Sequence, residues 1–397
     1  MTDFIYLDHN STTPIDPSVA SAVSDCYADQ LMNPASQHRL GQVARRKLEQ
    51  LRRRMAEILG ASCTGMETDQ LLLTSGGTES NNLALLGLVS SASQPDNRTG
   101  RVLISAIEHP SVIGAAEQLA RMGYDVEKIP VDQNGVCQIA SLKKIIDASS
   151  AGSSNQTILV SMMLVNNETG VIQPVAEAAA FCRQRGILFH TDAVQAVGKI
   201  PVQFRELGID AMSFTAHKFH GPRSIGGLLL RHGLSPHPIL YGGFQQMAIR
   251  PGTEDVALAA GMCQALELYQ SDSEGRYEHL LKLRDRLQAA LVGKFGDLVV
   301  NGGDALRAPH TLNISFPGID RQSFLLAADM AGLAISTGSA CASGSSELSP
   351  VLLAMGLENR IVEGSIRISL GVSTTEAEID DAASRITSII ASLGAKK

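Results

Sequence analysis

Tryptophan is absent from the 397 residues, aromatic residues of all kinds make up 4%, and cysteine occurs six times. The cysteines are scattered and no Cys-x-x-Cys occurs, which excludes a disulfide framework. A reducing, cytoplasmic setting is the natural expectation. No apolar run approaches the ~20 residues needed to cross a bilayer. The first residues, Met1-Thr-Asp-Phe-Ile-Tyr-Leu-Asp8, lack the basic region and apolar core of a signal peptide. Positive charge is also short: a net charge of −7 argues against a broad surface for nucleic acid or anionic membrane.

What remains is an ordinary globular composition, 44% hydrophobic and 18% charged, with 36 glycines that imply many tight turns. The length allows two domains. Residues 37–59 read as a basic amphipathic helix, capped by Ser36 and closed by Gly60, with Leu48, Leu51, Met55 and Ile58 on one face. The arginines of that helix are expected on a solvated face. Short apolar runs then recur at 71–73, 102–104, 126–129, 158–160, 187–189, 211–214 and 225–230, most of them separated by helical stretches. That alternation predicts a mostly parallel sheet, with ligands beyond the carboxyl ends of its strands. Residues 254–269 and 276–292 read as helices. Beyond residue 295 strands and helices mix as in a small α+β unit.

Polar clusters fall at the predicted strand ends. Thr74-Ser-Gly-Gly-Thr-Glu-Ser-Asn-Asn82 offers backbone amides and a hydroxyl where a helix begins, a geometry suited to phosphate or to a plain helix cap. In Ser105-Ala-Ile-Glu-His-Pro-Ser111, the proline holds His109 extended, where an imidazole could stack on a ring or shuttle a proton. Leu164-Val-Asn-Asn-Glu-Thr-Gly170 groups amides that could bind a ligand or form an Asx turn. His190-Thr-Asp-Ala-Val-Gln195 places Asp192 where a carboxylate could pair with a pyridinium nitrogen, and Gln195 close by. Thr215-Ala-His-Lys218 puts a lysine at a strand-to-turn junction, suited to Schiff-base chemistry with an aldehyde cofactor. Each cluster alone has an unremarkable structural explanation. Together they point to a site for pyridoxal 5'-phosphate.

The ordered set resembles the group I cysteine desulfurases of the pyridoxal-phosphate-dependent aminotransferase superfamily, fold type I, class V. The resemblance runs from Tyr6-Leu-Asp-His-Asn-Ser-Thr-Thr13, through Asn33-Pro-Ala-Ser36 and the clusters above, to Ile366-Arg-Ile-Ser-Leu-Gly371. It implies an α/β fold: a large domain with a mostly parallel seven-stranded sheet (residues 14–260), and a smaller α+β domain (1–13 with 261–397). The smaller domain would carry a catalytic-cysteine loop at about residues 336–348. Lys218 would hold the cofactor covalently, His109 stack on its ring, Asp192 pair with the ring nitrogen and Gln195 with the phenolic oxygen. Gly77, Thr78, Thr215 and His217 would hold the phosphate, with Thr253 reaching that of a neighbouring subunit in a homodimer. Arg367 and Asn166, with Asn33 nearby, would bind the α-carboxylate of L-cysteine. Cys341 would be the nucleophile that takes the sulfur as a persulfide and passes it to an acceptor or scaffold protein, for iron–sulfur cluster assembly or tRNA thiolation. No metal enters this expectation. Cys341 stands among Gly, Ser and Ala, unlike a cysteine serving as a small buried hydrophobe, the reading that suits Cys26, Cys182 and Cys263. A selenocysteine lyase and a plain aminotransferase stand as alternatives. The sequence departs from the usual family pattern in Phe219-His220 after the lysine, in Gly242-Gly-Phe-Gln-Gln-Met-Ala-Ile-Arg250, and in Leu164.

Overall fold

The structure is a computed structural model that describes residues 4–29, 31–92, 100–148, 156–338 and 347–394. All seven expected apolar runs are strands of one sheet: β2 (Gln70–Thr74), β3 (Arg101–Ser105), β4 (Asp125–Ile129), β5 (Thr157–Ser161), β6 (Leu188–Asp192), β7 (Ala211–Thr215) and β8 (Gly226–Leu230), after the short β1 (Ile5–Tyr6). Their order is β2-β8-β7-β6-β5-β3-β4. Only β8 runs against its neighbours, β2 and β7, so β2 to β7 all point their carboxyl ends to one edge. The central strands β5, β6 and β7 are buried almost throughout, because helices cover both faces of the sheet.

One buried side chain laces the middle of the sheet. His190 on β6 bonds Ser161 Oγ of β5 through Nδ1 (2.9 Å) and Ser213 Oγ of β7 through Nε2 (3.0 Å). Burial pushes this imidazole down to about 3, so it stays neutral. The outer edge of β2 is closed differently. The Gln246 side chain accepts from Leu73 N (2.7 Å) and donates to Leu73 O (2.9 Å), pairing the edge as another strand would. To do so, Gln246, Met247 and Ala248 all adopt left-handed backbone, with φ of 47°, 58° and 59°. Such residues cost roughly 1–2 kcal/mol each.

Two cap details differ from the sequence reading. The basic helix spans Arg39–Ile58 and is capped by His38, whose Nδ1 accepts from Gly41 N (3.2 Å). Ser36 instead closes a turn onto Asn33 O (3.0 Å). The next predicted helix starts at Val256, because the Asp255 carboxylate caps Leu258 N (2.9 Å). The arginines expected on a solvated face partly serve this second helix and the loop before it: Arg52 pairs with Glu254 and Arg54 with Glu267. Helices Pro17–Ala28 and Val256–Ser271 approach closely where a Cβ on Gly261 would lie 2.5 Å from Val23 Cγ2.

A second hydrophobic cluster gathers Ile5 and Leu7 with Leu283, Leu287, Ile314, Phe324, Ile368 and Ile386. Its strands are β9 (Val299–Val300), β10 (Thr311–Ser315) and β12 (Ser365–Ser369), an antiparallel sheet, and β11 (Leu333–Ala334), which pairs with β1. The amino-terminal strand is thus held by the carboxyl-terminal part of the chain. Residues 8–13 then run between that part and the strand ends of the large sheet, from the bridge at Ser369 to the backbone of His217. Among the described residues, no helix is long and apolar enough to cross a membrane.

The neutral state of His190 makes stability depend on pH. The unfolded chain takes up a proton near 6.5 that the folded chain refuses until about 3, so stability falls as pH drops through that window. Urea titrations at about pH 7 and about pH 5 should show this loss, and His190→Gln should reduce it by roughly 1–2 kcal/mol.

Candidate active site

The carboxyl ends of β2, β3, β5, β6 and β7 bring the polar clusters together. After β2 the chain turns at Gly76, whose φ of +155° suits glycine alone. Gly226, which opens β8, lies so close that a Cβ on it would sit 2.8 Å from Gly76 Cα. The turn is held by Glu79, which accepts from Ser75 N (2.6 Å) and pairs with Arg250 (2.7 Å). Gly77 and the exposed Thr78 begin helix Gly77–Asn82, where first-turn amides have no partner within the helix.

A continuous chain of hydrogen bonds joins His109 to Asp192. Ser111 N donates to His109 Nδ1 (3.1 Å), so Nδ1 is the unprotonated nitrogen of the neutral ring, and the Ser111 hydroxyl bonds the same atom (2.7 Å). Asn81 Nδ2 donates one hydrogen to Ser111 Oγ (2.9 Å) and the other to Asp192 Oδ2 (2.7 Å). Asp192 Oδ1 accepts from Val194 N (2.9 Å). Burial lowers the His109 pKa and Lys218 adds to this, while Asp192 opposes it. The preceding Glu108 is buried, and its Oε1 accepts from Ser105 Oγ (2.6 Å) and Met163 N (2.7 Å). Burial pushes its carboxyl up to about 8, so it is protonated at neutral pH and fixes the His109 turn to the segment after β5.

Lys218 ends a single 3-10 turn, Ala216–Lys218, directly after β7, at the expected strand-to-turn junction. It is half-buried, and its Nζ donates to Asn10 O (2.6 Å) and Ser11 O (2.7 Å). Asn10 O also accepts from Gln195 Nε2 (2.9 Å), and Gln195 Oε1 accepts from Lys199 Nζ (2.6 Å). His217 Nδ1 bonds Thr12 Oγ1 (3.2 Å); burial, then Lys218, lowers its pKa to about 4. Thr215 Oγ1 donates to Ile225 O (2.9 Å), 3.8 Å from where a Cβ on Gly76 would stand.

On the other side stands Arg367 on β12, 3% exposed. It pairs with Asp8 Oδ1 (2.7 Å) and donates to Asn167 O (3.1 Å) and Gly338 O (3.5 Å). Among the described residues its buried Nε has no partner. Asn166, expected at the substrate carboxylate, is fully buried and committed elsewhere. Its Nδ2 donates to Ile107 O (3.1 Å), and its Oδ1 accepts from Glu168 N and Thr169 N (both 2.9 Å). Asn33 lies exposed in an Asx turn onto Ala35 N (2.8 Å), and among the described residues no contact joins it to Arg367. Thr253 is exposed beyond Arg250. Cys341 lies outside the described residues. A cleft of about 1340 Å³ runs along the β2 edge between Arg52, Phe244 and Gln246, but no residue of the Lys218 cluster lines it.

Lys199, Asn10, Asn81 and Ser111 were not singled out as functional from sequence. The signals were slight: Lys199 stands four residues beyond Gln195, and the others lie inside quoted motifs. The groups present fit pyridoxal phosphate. There is an amine on carbonyl oxygens, a buried carboxylate, an imidazole tied to it, and a glycine turn packed so tightly that a Cβ on Gly77 would lie 2.8 Å from Val194 Cγ2.

Comparison with known proteins agrees with this chemistry. The family described as Aminotransferase class-V matches residues 5–381. The cysteine desulfurase IscS of Dictyoglomus turgidum is 37% identical over 376 residues, covering 95% of this chain and 92% of that one. The cysteine desulfurase NifS of Azotobacter vinelandii is 36% identical, over 98% and 93% of the two chains. A solved NifS-like protein superposes with a TM-score of 0.88 at 32% identity, covering 98% of this chain and all of that one. Fold, site and comparisons define a pyridoxal-phosphate-dependent enzyme of the class-V aminotransferase family. Within that family the chain belongs to the cysteine desulfurases.

Asn81 is the link most open to test. Asn81→Ala removes the donor to Asp192 and should weaken pyridoxal-phosphate binding about tenfold or more, the usual cost of a hydrogen bond to a charged group. Titration of the apoprotein with cofactor, followed by visible absorbance, measures it.

Proposed function

We propose that the chain removes sulfur from L-cysteine, leaving L-alanine and a persulfide on Cys341 for transfer to an acceptor protein. The observation that carries this reading is the seat of Lys218 on Asn10 and Ser11, in one site with His109 and Asp192, with Arg367 and Lys218 both among the charges that reach the neighbouring Lys199. Lys218, His109, Asp192, Gln195, Gly77, Thr78, Thr215 and His217 would hold pyridoxal phosphate. When bound, that group supplies an electron sink conjugated to the substrate's Cα.

The chain's own groups do the rest. Arg367 exchanges Asp8 for the substrate's α-carboxylate, a planar partner its guanidinium can match with two bonds. Lys218 Nζ takes the proton from Cα and returns it. His109, neutral with Nδ1 occupied, keeps its proton on Nε2. The Cys341 thiolate attacks the substrate sulfur: the S–S bond forms, the Cβ–S bond breaks, and Cβ is protonated to give alanine. Gly338, three residues before Cys341, bonds Arg367, so the cysteine segment starts beside the carboxylate site.

A homodimer with Thr253 serving the neighbouring phosphate completes the reading. Its support is an apolar rim beside the β2 edge, with Tyr241 87%, Phe244 93% and Met247 67% exposed. Domains at 14–260, and at 1–13 with 261–397, belong to the same reading: the cluster of Ile5 and Leu7 with Leu283, Ile314 and Ile368 supports a separate smaller unit, although Met262, Cys263, Leu266, Val351 and Leu352 pack into the core around the large sheet. Delivery to iron–sulfur assembly or tRNA thiolation, in the cytoplasm, belongs to the same proposal.

Alanine and persulfide released from L-cysteine should be abolished in Lys218→Ala. In Cys341→Ala persulfide should vanish while the visible cofactor band persists. A Cys341→Ala enzyme that made persulfide at the wild-type rate would sink the reading. Arg367→Lys, which keeps charge but loses the planar fork, should raise KM for L-cysteine about tenfold or more in steady-state kinetics.

A further inference from the structure

Lys199 is a second lysine beside the site, buried where Lys218 is only half-buried. It lies in the run of turns after β6 and is 6% exposed. Its Nζ donates to Gln195 Oε1 (2.6 Å) and Asn10 Oδ1 (3.4 Å). Among the described residues no carboxylate pairs with it. The titratable and charged groups facing it are Lys218, Arg367, His9, His217, His220 and His310. Burial, then Lys218 and Arg367, pushes its pKa well below the usual lysine range. Burying an amine without a counter-ion is a cost that a merely space-filling residue would not carry.

The two ends of a glutamine amide are nearly the same shape but opposite in hydrogen bonding. Which end meets a ligand depends on what the other end meets. Lys199 donates to Gln195 Oε1, and Asn10 O accepts one hydrogen of Gln195 Nε2 (2.9 Å). Both bonds select the same orientation and leave the second Nε2 hydrogen for an oxygen in the site.

We propose that Lys199 is a positioning residue that fixes the amide orientation of Gln195, so that Gln195 presents a donor to the anionic ring oxygen of the cofactor. This rests on the reading of Gln195 as the partner of that oxygen. A donor there favours the deprotonated form of the bound chromophore, so losing it raises the pH at which the visible band titrates.

The test uses four full-length proteins loaded with pyridoxal phosphate: wild type, Lys199→Met, Gln195→Ala and the double variant, each checked by thermal unfolding. The readout is the pH midpoint of the band at about 420 nm, with the cofactor as the electron-sink chromophore. Lys199→Met should move the midpoint up by about half a unit or more, and Lys199→Gln, which retains a donor, should return it towards wild type. In the Gln195→Ala background, Lys199→Met should add nothing further. An unmoved midpoint in Lys199→Met, or an equal shift in both backgrounds, overturns the proposal while leaving the reading of Gln195 intact. An unmoved midpoint in Gln195→Ala overturns both. Lys199→Leu gives the same comparison if the methionine variant does not fold.

Discussion

Asn10 ties the amino-terminal segment into the site, and the arrangement of both lysines depends on it. Its backbone oxygen receives Lys218 and Gln195, its side-chain oxygen receives Lys199, and its amide nitrogen donates to Asn167 O (3.2 Å) and Thr311 Oγ1 (2.8 Å). Its own N–H is taken by Ser369 Oγ (2.9 Å). A residue 2% exposed can satisfy so many partners only if the segments around it are already packed. The constraint is therefore global. The pairing of strand Ile5–Tyr6 with Leu333–Ala334 is what carries the chain towards the position where Asn10 meets the ends of the large sheet.

The polar site is built on mutual satisfaction. His109, Ser111, Asn81 and Asp192 form one chain, so the imidazole and the carboxylate hold each other's geometry through neutral intermediaries. Glu108, protonated, adds no charge beside them. On the opposite side, Arg367 rests on Asp8, which satisfies a buried guanidinium at the site proposed for the substrate carboxylate.

The fold was largely legible. Seven apolar runs became seven strands because strands covered on both faces need continuous apolar residues, a local property. The family was legible too, since the motifs fall at the strand ends, where a parallel sheet gathers its ligands. Cap positions were less so. His38 rather than Ser36 starts the basic helix, because Ser36 is drawn into a turn on Asn33. The basic face of that helix is solvated at Arg45, Arg46 and Arg53 as expected, but Arg52 and Arg54 were not legible as ion-pair partners because their carboxylates lie about 200 residues away, at Glu254 and Glu267.

By itself the sequence determined the strand pattern, the motif order and the kind of chemistry those motifs serve. These follow from residue type and short spacing. Only the tertiary structure decided partners. It committed Asn166 to the backbone of its own loop, left Asn33 on the surface, seated Lys218 on carbonyl oxygens, and buried Lys199 against Gln195 without a counter-ion. The reason is desolvation. Whether a lysine is an exposed cation or a buried donor with a lowered pKa depends on the water and charges that distant segments remove or bring, and no local pattern encodes them.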